Sequence, residues 1–192
     1  MPASLRPIRQ FVTRFAIIAA AFALNACLVS ENPLLDASNA RGKPLKPGQY
    51  QSCPYEDEKP ADECAPLDIS REGGLYKFLP LEDGEEPTLV RFRPLGANGF
   101  LAQMWGEDDS GYWYFYAEKT KDALRLSMID CQSLPSPLRD SLVGKGDLAL
   151  EDDGKTCVAK TLAGAENAAK AYRGANAVEP DEILVISKAP AQ

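Results

Sequence analysis

Tyr112-Trp113-Tyr114-Phe115-Tyr116-Ala117 reads as a β-strand. Five consecutive aromatic rings suit a pleated sheet, where bulky side chains pack on their cross-strand neighbours. At period two, Tyr112, Tyr114 and Tyr116 share one face, and Trp113 and Phe115 share the other. The flanking segments repeat the signal. Thr88 to Arg93 alternates Val90 and Phe92 with Arg91 and Arg93, and Ala123 to Asp130 places Leu124, Leu126 and Met128 on one side. Such alternation marks a strand with one buried face and one wet face. With Gly99 to Trp105 between them and the turn Glu107-Asp108-Asp109-Ser110-Gly111, four successive strands on short connections predict an antiparallel meander.

Further strands lie on the N-terminal side, at Gly48 to Ser52, Leu67 to Ser70 and Leu75 to Leu79. Arg71-Glu72-Gly73-Gly74 and Asp83-Gly84 are the turns. On the C-terminal side, Ser136-Pro137, Leu138 to Val143 and Gly144 read as a short helix. Leu148 and Leu150, the turn Asp153-Gly154, and Thr156 to Lys160 form a hairpin. Thr161 then caps a helix that runs to Arg173 and stops at Gly174, with Leu162, Ala165, Ala169 and Tyr172 as its apolar stripe. Ile183 to Ser187 adds a last strand. The predicted class is mainly β, a β-rich α+β fold. An antiparallel meander forms a curved sheet or small barrel, with one C-terminal helix packed on it. Residues 48–188 make a single domain, and 189–192 a frayed tail.

The 192-residue chain has a formal charge of −7 and contains no histidine. Setting aside Arg6, Arg9 and Arg14 of the leader leaves 18 bases against 28 acids, near −10. That balance disfavours nucleic acid and bare anionic lipid, which need clustered Lys or Arg. Without histidine, Ser-His-Asp and Cys-His catalysis are excluded, and the commonest metal ligand is missing. No G-x-S-x-G, S-x-x-K or phosphate-cradling glycine loop occurs. Neither a cofactor nor a metal is expected, and a non-enzyme is favoured.

The first residues carry the address. Met1 to Arg14 is basic, Phe15 to Leu24 is an apolar run of ten, and Leu24-Asn25-Ala26-Cys27 follows. Ten apolar residues are too few to span a bilayer, which takes about 20, and the tripartite pattern is that of a secretory signal. Leu-x-Ala-Cys resembles the lipobox of bacterial lipoproteins. The resemblance implies cleavage between Ala26 and Cys27, with lipid carried on the Cys27 sulfur and on the new amine. Asn25 departs from the small residues usual at its position. Leu28, where an aspartate would resemble an inner-membrane retention signal, implies the outer membrane facing the periplasm in a Gram-negative envelope. Residues 1–26 are therefore expected to be a signal peptide. Residues 27–47, broken by Asn32-Pro33, Gly42, Pro44 and Pro47, are expected to be a lipidated tether, with packing of Leu34 and Leu35 on the domain edge as the alternative.

Four cysteines remain, Cys53, Cys64, Cys131 and Cys157. An even number in an exported chain suggests two disulfides among three possible pairings. Proximity in sequence and the strand layout favour Cys53 with Cys64 and Cys131 with Cys157. A Cys₄ zinc site is opposed by the lack of short C-x₂₋₄-C spacing.

Three functions fit. The first is a non-catalytic envelope module that binds another envelope protein through Tyr112, Tyr114 and Tyr116, because tyrosine offers large area at low entropic cost. In the plainer alternative, these tyrosines are only a cross-strand ladder. The second is a carrier of a small apolar ligand in a closed barrel lined by Trp105, Trp113 or Phe115. Weak similarity to outer-membrane lipocalins supports it: Gly48-Gln49-Tyr50 stands where that family has Gly-x-Trp, without the tryptophan. The third is a hydrolase of envelope polymers using paired carboxylates. The acidic turns Glu82-Asp83-Gly84, Glu107-Asp108-Asp109 and Glu151-Asp152-Asp153-Gly154 lack EF-hand spacing and read as solvated hairpin tips.

Overall fold

A computed structural model describes residues 27–56, 59–60, 63–82, 85–105, 111–151, 154–175 and 183–189. The leader 1–26, the turn residues Asp83-Gly84, 107–110 and 152–153, and the tail residues 190–192 lie outside them.

The strands are β1 (Leu28–Ser30), β2 (Gly48–Glu56), β3 (Lys59–Pro60), β4 (Ala65–Glu72), β5 (Leu75–Pro80), β6 (Thr88–Gly96), β7 (Gly99–Trp105), β8 (Tyr112–Lys119) and β9 (Ala123–Met128), then β10 (Leu148–Leu150), β11 (Cys157–Ala159) and β12 (Ile183–Lys188). The helices are α1 (Ser136–Gly144) and α2 (Leu162–Ala175). Pairing runs β8-β7-β6-β5-β4-β2-β12-β9, and β9 pairs back onto β8, so eight antiparallel strands close a barrel. Both expected helices are present; α2 packs on the barrel and α1 beside β10, and both precede the final barrel strand in the chain. β12 then closes the gap between β2 and β9.

Closure follows from the alternation. Each strand turns one apolar row inward, and an eight-stranded barrel is just wide enough for side chains to fill. Phe92 and Tyr76 meet edge to face with ring centroids 5.2 Å apart, and Phe78 and Phe100 pack around them. The small Ala102 and Ala117 sit directly beside Phe92 and Phe100 on the adjacent strands and make room for these rings. Val90, Leu124, Leu126 and Ile186 complete the interior. Tyr76, Val90, Phe92, Leu124, Leu126 and Ile186 are at most 1% exposed, so the barrel middle around them is closely packed.

Strand direction separates two ends. β4 and β5 turn at Gly73-Gly74, where φ of +54° and +86° matches a two-residue hairpin that favours glycine. At the opposite end β9 runs out, and its place beside the first residues of β8 is taken by β1, with Val29 facing Trp113. β1 also pairs in parallel with β11, and β10 extends that flap.

Both expected disulfides are present. Cys53–Cys64 has its Cα atoms 4.3 Å apart, and Cys131–Cys157 has them 5.7 Å apart. Cys53 lies within β2, which is longer than the alternation implied. Each bridge stabilises by about 3 kcal/mol through the unfolded chain. Thr161 Oγ1 accepts from the Gly164 amide at 3.0 Å, the expected cap of α2. The helix continues through Gly174 to Ala175. α1 begins at Ser136 after Pro135, with no side-chain cap from Ser136.

The tether expected over 27–47 is not a spacer. Leu28, Leu35, Ala40 and Leu45 are buried, and the segment runs as a strap along the barrel wall. Its amides are satisfied one by one. Leu34 N and Leu35 N donate to Gln103 Oε1 at 2.8 and 2.7 Å, and Gly42 N donates to Phe92 O at 2.8 Å. Asp36 Oδ1 closes a local turn by accepting from Ser38 N, Ser38 Oγ and Asn39 N. Bonds from Ser38 hold its carboxyl below the usual carboxylate range. The prolines and glycines break regular period without preventing burial, because the barrel supplies acceptors that secondary structure otherwise would.

Candidate functional site

Cys27 is the residue to which the sequence assigns chemistry, and its surroundings follow from the sheet. Its carbonyl accepts from Cys157 N at 3.2 Å, and it bridges to Asp130 beyond the end of β9. Alternation along β1 turns Cys27 and Val29 toward the barrel interior and Leu28 outward. Cys27 is 9% exposed, with Sγ 2.8 Å from Met128 Sδ. Half-buried Val29, Met104, Trp113 and Leu184 pack on the same core. The attachment is rigid: β1 is held between β8 and β11, and Cys157 of β11 is cross-linked to Cys131 just past β9.

The tyrosine face is not a free surface. Tyr114 is 0% exposed beneath the strap. Its hydroxyl lies 2.9 Å from Ser30 Oγ, donates to Gln103 Oε1 at 3.0 Å, and accepts from Leu34 N at 3.2 Å. Burial pushes this phenol up to about 12, against the opposing pull of the Ser30 and Leu34 bonds. Tyr116 is covered by α2, with its ring centroid 6.5 Å from that of Tyr172. Tyr112 is half-buried against Trp105 at 5.5 Å. The expectation that Tyr112, Tyr114 and Tyr116 form a partner-binding face therefore fails. The chain's own strap and helix occupy it, because Ala165, Ala168 and Ala169 give α2 a flat side that seats closely on bulky rings.

The expected cavity set divides. Trp113 and Phe115 point into the barrel, whereas Trp105 is on the outer wall with Arg91 over its ring at 5.8 Å. Because Trp105 faces outward, these three residues do not line one enclosed pocket. Arg93, on the wet face of β6, is engaged by Glu166 of α2 and by Asn39 O. Glu166 also pairs with Lys170, one helical turn on, at 3.5 Å. Gln103 is the residue that sequence reading missed. It is 0% exposed, and Nε2 also donates to Leu35 O at 3.2 Å. Its signal was a lone amide between Ala102 and Met104 in an otherwise apolar strand.

Among the described residues, no group of three potential metal ligands converges, and no helix is long and apolar enough to cross a membrane. No protein-family model, no curated protein and no solved structure matches the chain.

Proposed function

We propose that this chain is a bacterial envelope lipoprotein, held by lipid on Cys27, whose barrel acts as a non-catalytic binding or assembly module at the membrane surface. The observation that carries the reading is the sequence Leu24-Asn25-Ala26-Cys27 immediately ahead of β1. Cleavage before Cys27 leaves no spacer, so the lipid joins the barrel wall directly. To carry a diacylglyceryl group, Cys27 turns its sulfur away from Met128, and the other strand contacts of β1 remain. Two or three acyl chains at roughly 0.8 kcal/mol per buried methylene make a durable anchor. The outer membrane facing the periplasm is the proposed location. Two disulfides fit an oxidising compartment of that kind. The partner is another envelope component, met by a surface other than the tyrosine face.

Replacing Cys27 with serine tests the anchor. Wild type is expected in the detergent-rich phase of a cloud-point separation, and Cys27→Ser in the aqueous phase with its thermal midpoint little changed. A wild-type chain that partitions into water, or a variant that stays with detergent, contradicts the proposal.

A further inference from the structure

At the Gly73 end, the strap and the β4–β5 turn enclose an open cleft of about 300 Å³, lined by Arg41, Lys43 and Arg71 together with Gly42, Gly73 and Gly74. We propose that this cleft binds a small, multiply charged oxyanion, with a phosphate monoester as the best match.

Three observations carry this. First, the cations are brought together by the fold from distant positions and, among the described residues, none of the three forms an ion pair. In a chain of net charge −7 this needs a reason, because acids outnumber bases and would ordinarily neutralise such a cluster. Second, the guanidiniums are pre-positioned. Arg71 lies over the Tyr76 ring at 5.8 Å, and Tyr76 is itself fixed by its hydroxyl bond to Leu45 O at 2.9 Å. Arg41 Nε donates to Ser38 O at 2.9 Å, which leaves its terminal nitrogens for a ligand. Third, glycines let the strap and the turn approach closely at the cleft. A Cβ on Gly42 would lie 2.8 Å from Phe92 O, and one on Gly74 would lie 3.0 Å from Ala40 O.

Two planar guanidiniums and an ammonium suit tetrahedral oxygens, since arginine offers paired N–H donors to phosphate. The volume is at the small end for ligand sites, which favours a compact group over a polymer. Exposed Glu63, Glu82, Glu85 and Glu86 belong to the opposite end of strands β4 to β6, while exposed Glu72 adjoins the cleft beside Arg71. This inference does not depend on the lipid anchor. The phosphate is either a free ester or a lipid headgroup.

The test is an NMR titration of the full-length mature protein in detergent micelles, following the Gly42, Gly73 and Gly74 amides. Inorganic phosphate and dihexanoyl phosphatidic acid are added separately, with sodium chloride at matched ionic strength as the reference. Saturable shifts at these glycines are expected, with affinity falling at least about tenfold in Arg41→Gln/Arg71→Gln and in Lys43→Gln/Arg71→Gln. Response to both ligands supports a free phosphate ester, and response to the lipid alone supports a headgroup. Shifts that match chloride, spread over the barrel without saturating, or persist undiminished in both double variants overturn the site.

Discussion

Replacing Gln103 with leucine is expected to destabilise the protein by roughly 3 to 4 kcal/mol, although the two side chains are similar in size. The Gln103 amide lies between barrel and strap. It accepts from Leu34 N, Leu35 N and the Tyr114 hydroxyl, and it donates to Leu35 O. Leucine removes all four bonds and leaves Leu35 N and O buried without a partner, at about 1 to 3 kcal/mol for each orphaned group. Leu34 N keeps the Tyr114 hydroxyl at 3.2 Å, and that hydroxyl keeps Ser30, which limits the loss. Tyr114→Phe should therefore cost only about 1 kcal/mol, because Gln103 still holds the strap. Urea unfolding reads both. A Gln103→Leu loss below about 1 kcal/mol would mean that the strap is not clamped as described.

Phe92→Ala is expected to cost about 3 to 5 kcal/mol. Phe92 is 0% exposed, and its ring touches Tyr76, Phe78 and Phe100, so truncation opens a void that these rigid neighbours cannot fill. An apolar void of this kind stays dry and accepts a small aromatic molecule. Benzene should therefore raise the thermal midpoint of Phe92→Ala and leave that of wild type unchanged, since binding to the native state alone stabilises it. Stabilisation of wild type by benzene would show an open lumen and put the carrier reading ahead of the binding module.

The barrel strands β6 and β9 were legible because burial on one face imposes period two on their sequences, and β8 because its run of aromatic rings is strongly β-prone. The disulfide pairing was legible because the strand order brings Cys157 beside the exit of β9. What escaped were features without period. Leu28, Leu35, Ala40 and Leu45 are spaced irregularly among prolines, glycines and asparagines, a pattern that sequence reading equates with a spacer. They are buried because a sheet wall receives isolated side chains at any spacing, provided that the backbone finds acceptors. The tyrosine ladder was legible as a ladder but not as covered. Both faces of β8 are aromatic, so periodicity could not say which would meet solvent. The clue was in α2, whose alanine-rich stripe has too little bulk to form a core by itself and fits a surface of large rings. The cleft escaped for a different reason: Arg41, Lys43 and Arg71 form no cluster in sequence and become one only when the strap crosses to the β4–β5 turn.

Intact-mass analysis of the protein extracted from its native membrane tests the anchor assignment most directly. The predicted product begins at Cys27, lacks residues 1–26, and carries a diacylglyceryl group on the Cys27 sulfur, while the two bridges among the other four cysteines make it four hydrogens lighter than the fully reduced chain. A product that retains the leader, or one that starts at Cys27 with an unmodified thiol, would contradict the account.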